Sequence, residues 1–413
     1  MARLLAALPP EQAALTTEAI ATCARRGVRL YAVGGAVRDI LLGRLVFDVD
    51  LVIEGPAVEL AREVGRRTKS RIVVYERFGT AALLTASGRV DVVTARRERY
   101  PHPGALPVVE PSTIADDLAR RDFTINAMAL PLWPASRSLL DPHDGRKDLR
   151  SRLVRVLHDG SFRDDATRAL RAARYATRLG FAIERHTVDL LRRDAGYLQR
   201  ISPARLRREF RRIFEDERPE EALAFADEAG LLRVLRCQLA WPGAPEGAFR
   251  RARGWAVLLD AFGFCLLLWT ADNSGVRRAI RRLSLPSAIV HDVRGLHDLA
   301  ESPVLTRPSV APGAVARLLD AAPPAAVAAA AFVLPDEIAR ARCVRYLDEW
   351  RFVRPDLHGD ALAVMGLEGA AIGETLRALR DARLDGVVRS REDEERFVRE
   401  RLARRRGAAA PGV

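Results

Sequence analysis

Asp48 and Asp50 lie two residues apart in the β-prone run DVDLVI. Side chains on a strand alternate faces, so both carboxylates point the same way, about 7 Å apart along the backbone. A cation relieves their repulsion. Hard divalent ions such as Mg2+ take oxygen ligands of this kind and leave positions open for phosphates. Upstream, Gly34 and Gly35 end a second β-prone run, Arg29 to Val33. Lacking Cβ atoms, they let the backbone turn sharply and approach a ligand. Ala36 to Leu42 has helical spacing and stops at Gly43. The free N–H groups of the turn and the helix N-terminus make a phosphate cradle, with Arg38 in the first turn within reach. A phosphate cradle beside a metal-binding carboxylate pair suits in-line phosphoryl or nucleotidyl transfer. Taken singly, a GG or a DxD says no more than a polar strand end beside a glycine turn. The two together on a strand–turn–helix–strand frame carry the weight.

The surrounding chain supplies elements to hold these groups. Glu11 to Arg26 reads as an amphipathic helix ending at Gly27, and Pro56 to Arg67 as a helix with proline in its first turn. Arg71–Tyr75, Gly79–Thr85 and Val90–Thr94 are short β runs between turn residues, giving a small mixed sheet of about five strands. Asp91, on the last run, either adds a third carboxylate to the same edge or marks a strand start near solvent. Ala95 to Pro111 reads as a proline- and arginine-rich loop, a candidate mobile element after the sheet. Ile114 to Arg121 is helical. In the following RRDFTINAMAL, Arg121 reads as an arginine held by Asp122 and aimed at phosphate, or as an ordinary surface ion pair.

From about Asp159 onward the pattern is helical almost to the end. Arg163 to Leu179 reads as one helix with Asp164 and Asp165 in its first turn, both placed to hold Arg168 at three- and four-residue spacing. Arg171 and Arg174 continue at three-residue steps, each drifting about 60° around the axis. Ile201 to Phe214 is a second basic helix, with Ser202 as cap and Pro203 at its first position. His291–Asp292 and His297–Asp298 lack further ligands at a recognisable spacing and read as helix-surface pairs. The tail helix, Ser390 to Arg406, mixes acids with arginines and ends in three of them.

The chain has 413 residues, enough for roughly two to four domains, and 48% hydrophobic against 29% charged residues marks it as globular rather than disordered. The formal net charge is +13, and lysine occurs only at Lys69 and Lys147. An arginine excess of this kind suits a polyanionic partner. Cys23, Cys237, Cys265 and Cys343 form no CxxC pair and read as buried thiols in a reducing compartment. The N-terminal apolar run is broken by Pro9, Pro10 and Glu11, unlike a secretory signal, and the longest apolar run, Ala325 to Leu334, is too short to span a bilayer. A cytoplasmic protein is expected.

Five motifs stand in order: VGGAVRDILLG followed by DVD, then RRDFTINAMAL, DPHDGRKDL, FRDDATRALRAARY and ISPARLRREF. Together they cover about half the chain, and it resembles the bacterial and eukaryotic type of tRNA nucleotidyltransferase, the CCA-adding enzymes and their poly(A) polymerase relatives in the DNA polymerase beta superfamily. The resemblance implies an α+β protein: a nucleotidyltransferase head with a small mixed sheet (1–150), then an all-helical neck that selects the nucleotide (151–218) and a helical body and tail that bind tRNA (219–413). It implies that Asp48 and Asp50 hold Mg2+, with Asp91 a candidate third catalytic carboxylate. Gly34, Gly35, Arg38 and Arg121 would bind the nucleotide, and Asp165 and Arg168 would read the base edge, with Arg171 and Arg174 nearby. Cytosine and adenine each present an amino donor beside a ring-nitrogen acceptor, which a carboxylate and a guanidinium complement. The implied reaction adds CMP and AMP from CTP and ATP to the 3′ end of tRNA and releases pyrophosphate. The family's glutamate is replaced by aspartate at Asp164. CC-only or A-only addition, a poly(A) polymerase and a non-catalytic RNA-binding protein are the alternatives.

Overall fold

The computed structural model describes residues 1–408 apart from Phe47, Arg77, Phe78, Ser87 and Arg137, and the side chains of residues 405–408 are also outside the description. The β-prone runs form β1 (Leu30–Val33), β2 (Asp48–Ile53), β3 (Arg71–Tyr75), β4 (Thr80–Thr85) and β5 (Gly88–Thr94). The segment that reads as a loop folds as a hairpin of β6 (Arg96–Arg99) and β7 (Val108–Pro111), and β8 (Ala129–Trp133) follows. The main sheet has six strands in the order β3-β4-β5-β2-β1-β8. Among the described residues of this sheet, β2 and β5 pair in parallel and the other neighbours antiparallel. The strand beyond the expected five is β8, which lies within a segment legible as buried but not as extended. Its Ala-Leu-Pro start has little β propensity, and pairing with β1 supplies what the local sequence lacks.

The hairpin forms because the prolines that exclude helix do not exclude a short edge ladder. Pro103 and Pro107 sit in the connection and Pro111 ends β7. Arg97 pairs with Glu110 across the strands at 3.0 Å.

The helices Pro10–Arg26 and Ala57–Thr68 pack on each other and on the sheet. Gly27 takes a left-handed conformation (φ 66°) that closes the first, as its position after the last apolar turn requires. The helix expected over 36–42 runs Gly35–Leu41.

The chain divides into two compact units, Met1–Glu209 with Phe225–Leu235, and Phe210–Ala224 with Arg236–Val413. In the second unit, helices between Ala248 and Ala408 follow one another. Its core is aromatic: Phe210, Phe214, Phe249, Phe262, Phe264 and Phe332 meet ring to ring, with centroids 5.0–6.2 Å apart. All four cysteines are free and buried. His297 turns its ring Nε2 toward the carbonyls of Leu268 and Trp269, at 3.2 and 3.1 Å, so it is a packed side chain and not a surface partner of Asp298. The tail helix runs Arg391–Ala408, and Ser390 Oγ accepts from Asp393 N at its start; the expected role of Arg405 and Arg406 lies outside the described residues. Among the described residues no helix is long and apolar enough to cross a membrane.

Candidate nucleotide site

The glycine turn sits where β1 ends. Gly34 has φ 69° and ψ −131°, a conformation that side-chain-bearing residues rarely adopt. A Cβ there would meet Arg121 Nη1 at 2.7 Å and Asp50 Oδ2 at 3.8 Å, so the absent side chain is what lets an arginine and a carboxylate close on the turn. Gly35 opens the following helix.

In the parallel register of β2 and β5, Asp50 stands opposite Asp91, and Asp48 opposite Arg89. Asp91 is thus placed on the edge that carries the DxD pair, not isolated in solvent, and it pairs with Arg89 at 3.0 Å. Burial and the charges of Asp50 and Asp48 push the Asp91 carboxyl up to about 6 against the pull of Arg89. Burial and the charge of Asp48 likewise raise Asp50, partly offset by Arg121 and Arg89. Carboxylates that resist ionising beside one another are suited to a divalent cation. Among the described residues no three acidic, histidine or cysteine side chains already converge at metal-binding distance. The oxygen-only donor set of Asp48, Asp50 and Asp91 fits a hard ion.

A cavity of about 490 Å³ opens beside Asp50 and is lined by Arg121, Asp122, Asp165, Arg168 and Arg171. Five of the expected site residues, Asp50, Arg121, Asp165, Arg168 and Arg171, therefore share one cavity. Asp48, Asp91, Gly34, Gly35, Arg38 and Arg174 are not in its lining.

Several partners differ from those the sequence implies. Arg121 is held by Asp117, four residues earlier, at 2.9 Å. The adjacent Asp122 faces away and binds Arg171, with Oδ2 accepting from Nε at 3.0 Å and Nη2 at 2.5 Å. Neighbouring residues on an irregular turn diverge, whereas an i,i+4 pair at the end of a helix converges. Arg38, expected to meet phosphate, is 2% exposed. Its guanidinium donates to Asp39 and to Asn126 Oδ1 (2.6 Å) and lies over the Tyr175 ring at 5.3 Å. It braces the turn from behind. Asn126 Nδ2 in turn donates to Asp122 Oδ1 at 2.9 Å, so Arg38, Asn126, Asp122 and Arg171 form one chain of hydrogen bonds. Arg171 and Arg174 also lie over Tyr175, at 5.4 and 4.9 Å.

The helix expected over 163–179 is broken. Ser161–Asp164 forms one turn, Asp165 is extended (φ −140°), and a second helix runs Thr167–Leu179. Asp164 and Asp165 thus cannot hold Arg168 by helical spacing. Asp164 lies 3.5 Å from His158. Asp165 turns one oxygen, Oδ1, to the N–H and hydroxyl of Thr167 and to Arg205 at 2.8 Å. Arg168, 5% exposed, donates to Ser161 Oγ and to the Arg120 carbonyl, each at 2.7 Å. Asp165 and Arg168 both line the cavity wall, so a carboxylate and a guanidinium border the same space.

The hairpin contributes residues that composition alone does not single out. Glu98 accepts from Arg120 (2.8 Å), Arg96 (2.9 Å) and Tyr100 (2.7 Å). Arg96, Glu98, Tyr100, Arg120 and Arg205 all line the cavity. The doubled arginine of RRDF and the arginines of ISPARLRREF are the sequence signals for Arg120 and Arg205; nothing local marks Glu98 or Tyr100.

Residues 30–155 match the family model for the poly A polymerase head domain, and residues 180–240 match one described as a probable RNA and SrmB- binding site of polymerase A. The CCA-adding enzyme of Geobacillus thermodenitrificans is 32% identical over 306 residues, covering 68% of this chain and 72% of that one. The chain belongs to the tRNA nucleotidyltransferase family. Within the family, the A-adding tRNA nucleotidyltransferase of Aquifex aeolicus is 33% identical over 378 residues, covering 86% of this chain but 44% of that protein. The chain spans about half the length of the first curated relatives it matches. The Thermotoga maritima CCA-adding enzyme, solved with tRNA-CCA, superposes with a TM-score of 0.76 at 28% identity over 97% of this chain and 98% of that one. These matches agree with the α+β architecture described above.

Proposed function

We propose that the chain is a template-independent nucleotidyltransferase that adds CMP and AMP to the 3′ end of tRNA from CTP and ATP. The observation that carries this reading is the cavity that Asp165 and Arg168 line together with the carboxylate Asp50. A carboxylate oxygen accepts from the exocyclic amine of cytosine or adenine, and a guanidinium N–H donates to the ring nitrogen. Uracil and guanine place a carbonyl where the amine belongs and leave buried polar groups unpaired, which gives strong rejection.

The 3′-hydroxyl of the RNA attacks the α-phosphorus, a new P–O bond forms, the bond to the bridging oxygen breaks, and pyrophosphate leaves. The attacking hydroxyl gives up its proton as the bond forms; Asp48 and Asp50, with Asp91 beside them, would hold Mg2+, which would supply neutralisation of phosphate charge and make that proton easier to lose. Arg121, fixed by Asp117 against the glycine turn, contacts the triphosphate. Arg38 and Arg171 keep the turn and the base-reading helix in fixed relation through Asn126 and Asp122. We assign 1–150 to a catalytic head, 151–218 to a nucleotide-selecting neck and 219–413 to a tRNA-binding body and tail. The +13 charge and the likeness to an enzyme solved with tRNA-CCA support an RNA partner. Free, buried cysteines fit a cytoplasmic setting.

The Aquifex relative favours a second reading, addition of the terminal A alone. Transcripts ending at the discriminator base, after C and after CC, incubated with Mg2+ and CTP or ATP separately and together, decide between them. CCA with a stop supports the first reading. A single A on the CC transcript alone supports the second. No product with any transcript overturns both.

A further inference from the structure

A second cavity, of about 610 Å³, lies wholly within the second unit, between the ends of the helices Pro312–Ala321 and Glu337–Asp348 and the helix Ala370–Leu384. Arg351, Arg354, Arg377 and Arg380 line it, and among the described residues Asp320 is the one carboxylate in the lining. Asp320 is already engaged: it accepts from Tyr346 Oη at 2.8 Å and from Arg380. Arg351 donates to the Trp255 carbonyl, and Arg354 to the carbonyls of Arg351 and Val353. Among the described residues neither hydrogen-bonds to a carboxylate, Arg351 being influenced by the nearby charge of Asp348, and Arg377 has no hydrogen-bond or ion-pair partner there at all.

Arginines close by on the same helices are treated differently. Arg383 pairs with Asp356 and Glu394, both at 2.9 Å, and Arg317 pairs with Asp381. At the cavity, by contrast, four guanidiniums face a single described carboxylate. Like charges gathered around one concavity repel unless an anion joins them. Guanidinium forks match the oxygens of a phosphate bidentately, and several on one group give strong, charge-assisted hydrogen bonds. Leu357 and Leu376 add an apolar wall, and the volume exceeds what a lone phosphate fills, leaving room for the sugar or base attached to it.

We propose that this cavity is a phosphate-binding site, in which Arg351, Arg354, Arg377 and Arg380 grip a phosphate group of a nucleotide or of an RNA backbone. The RNA source rests on the tRNA reading above; the free-nucleotide source does not.

The test uses the full chain and the variants R377Q, R354Q/R377Q and R354K/R377K. Arg377 holds nothing in the fold, so R377Q tests the site even if the double variant melts early. Binding of a labelled tRNA transcript is followed by anisotropy across a salt series. ATP bound per chain is counted by equilibrium dialysis. If the phosphate belongs to RNA, the glutamine variants weaken tRNA binding by about tenfold, the log–log salt slope falls by about one, and the lysine variant recovers part of both. If it belongs to free nucleotide, tRNA binding is unchanged and the ATP count falls by one site. Unaltered tRNA affinity, salt slope and ATP count in every variant overturn the proposal. Loss of nucleotide transfer in the unmodified chain with the binding effects intact would instead count against the proposed function alone.

Discussion

Asp122 Oδ2 accepts two hydrogen bonds from Arg171, and Asp122 Oδ1 accepts one from Asn126 Nδ2. Both carboxylate oxygens are thus committed within a buried setting. Removing the charge leaves a guanidinium without its counter-ion. Arg171 is about a quarter exposed, so the loss is smaller than for a fully buried pair. Asp122→Asn should lower stability by about 2 kcal/mol, measured by urea unfolding at neutral pH.

The same carboxyl makes that loss pH-dependent. Burial would raise its pKa, but the charge of Arg171 and the hydrogen bonds from Asn126 and Arg171 outweigh burial and hold it below the ordinary carboxylate range. A depressed folded-state pKa stabilises the fold above the unfolded value, about 4, and the contribution fades as pH falls toward the folded value. The stability gap between the parent chain and Asp122→Asn should therefore be full at neutral pH and shrink as the solution is acidified below about pH 4. A gap of constant size down the series would show that the charge of Asp122 is not what stabilises.

Asp48→Ala and Asp50→Ala should each abolish nucleotide incorporation while leaving tRNA binding near the parent value. Incorporation of labelled CMP or AMP and gel-shift affinity check the two halves. Near-normal turnover in either variant would remove the metal assignment.

Ser161 holds Arg168 through a 2.7 Å hydrogen bond without lining the cavity. Arg168→Ala should erase discrimination against UTP and GTP. Ser161→Ala should erode it less, with kcat for CTP or ATP falling no more than about tenfold. Competition assays with mixed nucleotides read this directly.

Gly34→Ala places a methyl 2.7 Å from Arg121 Nη1 at a backbone φ of 69°. The variant should fold at a cost of about 1 kcal/mol and raise KM for the nucleotide more than it lowers thermal stability would suggest. Initial-rate kinetics alongside a thermal melt separate the two effects.

The strand–turn–helix–strand frame was legible because glycine, alternating apolar residues and paired acids all act locally. Side-chain partners were not. Asp117 rather than Asp122 holds Arg121, because an i,i+4 step on a helix brings groups together while adjacent residues on a turn part. The break at Asp165 is not encoded locally, because aspartate followed by alanine and threonine is compatible with a helix start as well as with a helix interior; the carboxylate bonding the Thr167 N–H decides for a start. The β6–β7 hairpin was hidden by its prolines, which mark its connection and end. The aromatic core of the second unit combines phenylalanines from widely separated helices, and no local period encodes that meeting.

β1 carries the glycine turn and is flanked in the sheet by β2, immediately downstream, and by β8, which ends at Trp133. During synthesis the turn therefore emerges early with one side open. A ribosome paused before β8 would display a β1 edge able to pair with another chain. Completion of the glycine-turn end of this unit waits on a long-range closure, a slow class of step that exposes nascent chains to aggregation or chaperone capture.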